Sequence, residues 1–341
     1  MKICLVMAGH GDGGLEGHFV ELGNGLAKNN SVHVIVHPKM LGRFDKAVTA
    51  HSLDLQKSRN NPVVLFSLVS QIKKINPDII HAHANKAVAM VTRIRSFLPE
   101  PIKLIGTLHN KKKKLTDFNK LDFVIGVSNR IIRPLANPNK KAIYNGVEID
   151  SGRIKGKNYF SGILPEDVVN NHKIVVNLGR LVPAKRIDLS IKSFQGIGGA
   201  SLVIVGDGPQ RSRLEDLVKE LGLENIYFIG FRTDAVELLS AADLCLISSD
   251  REGFNYVMLE ALMVRTPVVS TDVADMKLIL PKRFVVDTGA ESELREIISN
   301  SLAELDAVLA EYEPVFNWVQ EHLTTNIMIE SVNDVYNTVA N

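Results

Sequence analysis

Short apolar runs rich in β-branched residues alternate along this chain with longer segments in which apolar residues recur every three or four positions. The first pattern predicts buried strands and the second amphipathic helices. In the first half the expected strands are Ile3–Met7, Ser31–Val36, Asp78–His83, Lys103–His109, Phe123–Ser128 and Ala142–Val147. Between them the spacing predicts helices over Gly17–Lys28, Val63–Ile75 and Ala87–Phe97, with Phe66, Val69, Ile72 and Ile75 on one face of the second. A polar, glycine-containing stretch near Asp150–Gly162 interrupts the alternation. It then restarts, with strands expected at Lys173–Leu178, Ser201–Gly206, Asn225–Gly230, Leu244–Ser248, Pro267–Thr271 and Arg283–Asp287. Helices are expected there at Arg211–Leu221, Val236–Ala242 and Tyr256–Val264.

Near-continuous apolar strands separated by helices imply parallel sheets covered on both faces. Two such series in tandem imply an α/β protein of two doubly wound, Rossmann-like domains, each with its ligand edge beyond the strand C-termini. The last periodic stretch, Pro314 to about Val339, reads as one long helix returning to the first domain. The expected boundaries are therefore 1–162, 163–313 and 314–341.

The 341 residues suit two domains, and 45% hydrophobic with 23% charged residues excludes disorder. No apolar run is long enough to span a bilayer, and the N-terminus reaches Gly9 and His10 too soon for a signal peptide. The two cysteines, Cys4 and Cys245, lie in strand-like runs, which argues against disulfides and cysteine metal sites. A cytoplasmic protein is expected. The net charge of +2 hides an asymmetry: residues 1–160 carry 25 Lys/Arg against 11 Asp/Glu, a net +14, and the remainder carries 15 against 27, a net −12. A basic half implies an anionic partner. No aromatic stacking motif or helix-turn-helix cue points to nucleic acid, whereas an anionic membrane leaflet fits.

The segment with most chemistry is Asp250–Ala261, which follows a strand and opens a helix at Gly253-Phe254-Asn255. The first amides of a helix lack intrahelical partners and make an anion site, and Gly253 lets a ligand approach closely. Glu252 sits at the mouth and Glu260 about two turns in; as a bare pair they read as solvated helix carboxylates. Their company changes that reading. Arg180 and Lys185 follow the strand Lys173–Leu178 and place two cations at a sheet's C-terminal edge, suited to a diphosphate. Val205-Gly206-Asp207-Gly208-Pro209 ends the next strand in a tight turn.

Gly179-Arg180…Lys185, Val205-Gly206-Asp207-Gly208-Pro209, Gly230-Phe231 and Glu252-Gly253-Phe254…Glu260-Ala261 together resemble the donor half of glycosyltransferase family four. The resemblance is specific over about residues 173–272 and looser in the first half, where Gly13-Gly14-Leu15-Glu16 is similar to the family's first loop. It implies a retaining enzyme of the GT-B fold, with two facing Rossmann-like domains: the first binds the acceptor, the second the nucleotide sugar. It further implies that Arg180 and Lys185 hold the donor diphosphate, Glu252 the transferred sugar and Glu260 the ribose. Amides of Phe254, Asn255 and Tyr256 would bind the distal phosphate and sugar, with Gly14 approaching from the first domain. His109 would stand near the reaction centre. Three positions depart from the family pattern: Arg186 and Arg265 replace glycines, and Ala274-Asp275-Met276 replaces a glycine-rich turn.

Other residues carry plainer readings. His81 and His83 alternate on a strand and so share a face, but a metal pair lacks a third ligand. His10 and His18 flank the glycine loop, which lacks the spacing of a dinucleotide fingerprint. Lys111, Lys112, Lys113 and Lys114 follow His109 at the expected acceptor edge, where anionic lipid or acceptor phosphate competes with a solvated loop. The loop around Phe231-Arg232 is expected to recognise the base. The combined expectation is a retaining transferase that moves a sugar to a hydroxyl of a glycan or glycolipid in cell-surface polysaccharide or lipopolysaccharide synthesis. No cofactor is expected, and without an Asp-x-Asp motif no essential metal. The alternatives are a sugar-nucleotide epimerase of the same fold or a non-catalytic protein that binds anionic surfaces.

Overall fold

The computed structural model describes residues 1–11 and 13–340. The chain divides into two compact units, Met1–Gly146 with Thr325–Asn341, and Val147–Thr324. In the first, β1 (Lys2–Met7), β2 (Ser31–Val36), β3 (Thr49–Ser52), β4 (Ile79–His83), β5 (Lys103–Leu108), β6 (Phe123–Gly126) and β7 (Lys140–Ala142) form one parallel sheet in the order β3-β2-β1-β4-β5-β6-β7. In the second, β8 (Lys173–Leu178), β9 (Ala200–Val205), β10 (Ile226–Gly230), β11 (Leu244–Ile247), β12 (Val268–Thr271) and β13 (Val285–Val286) form a parallel sheet in the order β10-β9-β8-β11-β12-β13. Both sheets reverse their winding beside the first strand, between β1 and β4 and between β8 and β11. Ligands of doubly wound sheets bind at such switch points.

Strand burial explains the apolar runs. In β1, Ile3, Leu5 and Met7 pack with Phe19, Leu22 and Leu26 of the helix Gly14–Leu26 and with Met328, Val332, Val335 and Tyr336 of the helix Thr325–Ala340. Cys4 and Val6 point the other way and are equally buried. Both cysteines are free, and burial pushes the Cys4 thiol up to about 12.

Four expectations are corrected. The first boundary falls at Gly146/Val147 rather than Gly162, because the polar stretch belongs to the second unit. Arg153 pairs with Glu237 through two 2.9 Å hydrogen bonds, and Tyr159 Oη donates to Asp234 at 2.6 Å. The expected terminal helix is two helices, Leu305–His322 and Thr325–Ala340, and only the latter joins the first unit. The break lies at buried Leu323, whose carbonyl accepts from Val147 N at 3.1 Å. In the helix Pro62–Ile75 the buried stripe is Val64, Leu68, Ile72 and Ile75, while Phe66 is 76% exposed. A strict three-residue spacing drifts around a helix of 3.6 residues per turn, so Phe66 leaves the face that Ile72 occupies. At the sheet edge, β7 covers Lys140–Ala142 rather than residues 142–147. Among the described residues, no helix is long and apolar enough to cross a membrane.

Candidate active site

The loops beyond the second sheet's switch point bring the expected donor residues together. After β8 the chain turns through Gly179 and exposed Arg180 into a short 3-10 turn, Pro183–Lys185. Lys185 Nζ donates to Glu252 Oε1 at 2.6 Å, and Ser249 Oγ donates to the same oxygen at 2.8 Å. The ion pair is half-sheltered, with side-chain exposures of 26% and 13%. The polar groups beneath are also tied down. Ser248 Oγ donates to the Lys185 carbonyl at 2.9 Å, and Thr271 Oγ1 donates to the Ser249 carbonyl at 2.6 Å. Charged groups are thus fixed by a buried lattice of hydroxyls, which lowers the reorganisation needed to bind an anion. Ser249 and this lattice had no signal in the sequence beyond their position after a strand.

The turn Gly206-Asp207-Gly208 closes against the same loop. Gly179 N donates to the Val205 carbonyl and Leu181 N to the Asp207 carbonyl, both at 2.9 Å. Gly206 has φ +134°, and a Cβ there would lie 2.1 Å from the Gly179 oxygen. The glycine is therefore required by backbone-on-backbone contact. Asp207 caps its own turn, accepting from Gly208 N at 2.7 Å. The helix Tyr256–Met263 begins at buried Asn255, whose Oδ1 accepts from Met258 N at 3.0 Å. Gly253 and Phe254 are buried beside it, Tyr256 is half-buried, and Glu260 is half-buried further along the helix. Phe231 is 76% exposed, whereas Arg232 is held by Asp234 at 2.6 Å.

In the first unit, Gly13 precedes the helix Gly14–Leu26 and accepts from Gly17 N at 3.0 Å. Gly13 and Gly14 are both exposed. The Glu16 carboxylate folds into the glycine loop, accepting from Gly11 N at 3.2 Å. At the switch point, His83 ends β4 and His109 follows β5; both are buried. His83 Nδ1 and His109 Nε2 lie 3.2 Å apart, and His18 of the helix Gly14–Leu26 packs on both rings. Burial drives His18 down to about 4 and holds His83 and His109 well below the ordinary histidine range, so all three are neutral at neutral pH. His81 shares their face, but its nitrogens bond Tyr336 Oη at 2.6 Å and Thr107 Oγ1 at 2.7 Å, a packing role. Lys111–Lys114 are all exposed. Lys112, Lys113 and Lys114 join Arg59, Arg93 and Asn85 around a cavity of about 370 Å³. The two arginines were not expected from the sequence, since the fold alone brings them to the lysine loop.

Two doubly wound units, one carrying a lysine–carboxylate pair at its switch point, define an enzyme of the GT-B class. Residues 12–151 match the family described as Glycosyltransferase Family 4, and residues 165–302 match Glycosyl transferases group 1. The chain belongs to glycosyltransferase family four and is a glycosyltransferase. It is 27% identical over 285 residues to the N-acetyl-alpha-D-glucosaminyl L-malate synthase of Bacillus anthracis, covering 74% of each chain. It is 26% identical to the lipopolysaccharide core biosynthesis glycosyltransferase LpsE of Rhizobium meliloti, covering 76% of each. Its fold is similar to that of Anabaena HepE, crystallised with UDP-glucose, at a TM-score of 0.83 and 20% identity over 99% of this chain and 100% of that one.

Proposed function

We propose that the second unit binds a nucleotide-diphosphate sugar, that the first binds a hydroxyl-bearing glycan or glycolipid, and that transfer retains anomeric configuration without an essential metal. The observation that carries this reading is the Lys185–Glu252 pair, 2.6 Å apart beyond the β8/β11 switch point. Arg180 and Lys185 take the diphosphate, the arginine as a fork and the lysine as a point charge. Together with the positive end of the helix Tyr256–Met263 they stabilise charge developing on the leaving diphosphate. The backbone at Gly253, Phe254, Asn255 and Tyr256 takes the distal phosphate and sugar. Glu252, released in part from Lys185 when phosphate arrives, orients the sugar hydroxyls, and Glu260 takes the ribose. Phe231 offers a flat face to the base. His109 meets the transferred sugar, and the leaving phosphate assists removal of the acceptor proton, so no protein nucleophile is required.

The cavity lined by Arg59, Arg93 and Lys112–Lys114 supports an acceptor that carries phosphate or carboxylate. The named role of LpsE in lipopolysaccharide core synthesis supports a cell-surface glycan, and the basic first unit supports its assembly at the inner face of the cytoplasmic membrane. A thermal-shift series with UDP, GDP, ADP and their sugar conjugates tests the donor site. At 100 times its dissociation constant a ligand stabilises the fold by about 2.7 kcal/mol. One base should produce that shift, and Lys185→Ala should abolish it. A shift that survives in the variant, or none with any nucleotide, would remove the donor assignment.

A further inference from the structure

Among the described residues, one ring nitrogen from each of His18, His83 and His109 lies within 4.8 Å of the other two. The three rings come from a helix and two adjacent strand ends, and all are buried. Two of their nitrogens, His18 Nδ1 and His83 Nε2, are buried with no hydrogen-bond partner among the described residues. An unpaired buried nitrogen costs about 1–3 kcal/mol, so the unpaired His18 Nδ1, beside the other two rings, marks a place built to receive something. The neighbouring His81 has both nitrogens satisfied and shows what a purely structural histidine looks like in this core. The backbone beside the cluster is also strained: Ala84, immediately after His83, has φ +65°.

We propose that His18, His83 and His109 form a site for one zinc-class transition-metal ion, and that an ion seated there arrests sugar transfer by occupying His109. The second half rests on the role given to His109 above. The donor set decides the class. Three imidazoles without a carboxylate suit zinc, copper or nickel and do not suit magnesium or calcium, which require oxygen. Three histidines and an open fourth position also match a common tetrahedral zinc arrangement. Bonds of 2.0–2.1 Å in that geometry place ligand nitrogens roughly 3.3–3.4 Å apart. His83 Nδ1 and His109 Nε2, at 3.2 Å, already have that separation, and a His18 nitrogen lies within 4.8 Å of the cluster's other two ligand atoms. Coordination through His18 Nδ1, His83 Nδ1 and His109 Nε2 replaces the hydrogen bond between those last two rings and gives His18 Nδ1 its partner.

The test uses the whole chain after dialysis against a chelator, with Co²⁺ alone as the spectroscopic probe and Zn²⁺ for stoichiometry by calorimetry. The expected result is one ion per chain and the visible absorption of low-coordinate Co²⁺. His18→Gln and His83→Gln should each weaken binding by about 10–100-fold or more. His51→Gln, which removes one of the half-buried His33–His51 pair, should leave binding unchanged. No absorption, or absorption that persists in His18→Gln, overturns the site. If His83→Gln does not fold, His18→Gln on the helix decides the matter alone. Stoichiometric Zn²⁺ binding with undiminished sugar transfer overturns the arrest and keeps the site. Full sugar transfer by His109→Asn, with Co²⁺ binding weakened, overturns instead the role given to His109.

Discussion

Arg186, Arg265 and Ala274 stand where the family pattern has glycine, and all three have left-handed backbones, with φ of 49°, 66° and 48°. The common glycine is thus explained by conformation, at a cost to other residues of about 1–2 kcal/mol each. Arg186 offsets that cost with its side chain, which pairs with Asp188 and Asp250. Arg265 does so by bonding Asn317 and Glu313 and lying over the Phe316 ring. The departures were legible in the sequence; their compensation was not, because Asn317 and Glu313 are about fifty positions away. Asp234 gives the clearest titration. Hydrogen bonds from Arg232 and Tyr159 hold its carboxyl down to about 2 from an ordinary 3.8. A carboxylate with a depressed folded pKa contributes stability that is present above pH 3.8 and is lost as pH falls through 2. Asp234→Asn should therefore lower stability by about 1–2 kcal/mol at pH 7 and flatten the acid limb of a urea-denaturation series between pH 4 and 2. An unchanged acid limb would exclude the pairing.

At the scale of elements, long apolar strands were legible and short polar ones were not. The expected and observed limits of β2 and β8 coincide, because each opens on a polar residue, carries three or more β-branched residues and stops before His37 or Gly179. β3 was missed: Thr49-Ala50-His51-Ser52 has one apolar side chain and pairs only along β2. β7 was misplaced because Ile143, though buried, lies beyond the end of the ladder with β6. The glycine-bearing loops after β8 and β9 were legible as motifs, and the reason for the glycine at 206 is now geometric. Gly206→Ala should cost about 2–4 kcal/mol, since the new Cβ collides with the Gly179 backbone at a left-handed φ. It should also weaken nucleotide binding, since that backbone leads to Arg180. A urea midpoint equal to that of the unaltered chain would contradict the contact.

For the whole molecule, the structural boundaries keep the charge asymmetry that composition showed. The first unit carries 22 Lys/Arg against 11 Asp/Glu, a net +11, and the second 18 against 27, a net −9. Lys111–Lys114 are exposed on the basic unit, and each lysine near an anionic leaflet is worth about 1 kcal/mol. Binding to vesicles containing acidic lipid should therefore weaken at least about tenfold when all four become glutamine, and should fall with added salt. Salt-insensitive binding, or none, would leave the basic unit to soluble anionic acceptors. The first unit's core has a further consequence for how the protein is made. Its helical layer includes Met328, Val332, Val335 and Tyr336, separated from Gly146 by the whole of the second unit. A ribosome adding roughly 5–20 residues per second needs on the order of 10–40 s to cross that interval. Throughout it the nascent first sheet has an apolar groove without its cover, so the half of the enzyme synthesised first is the half completed last.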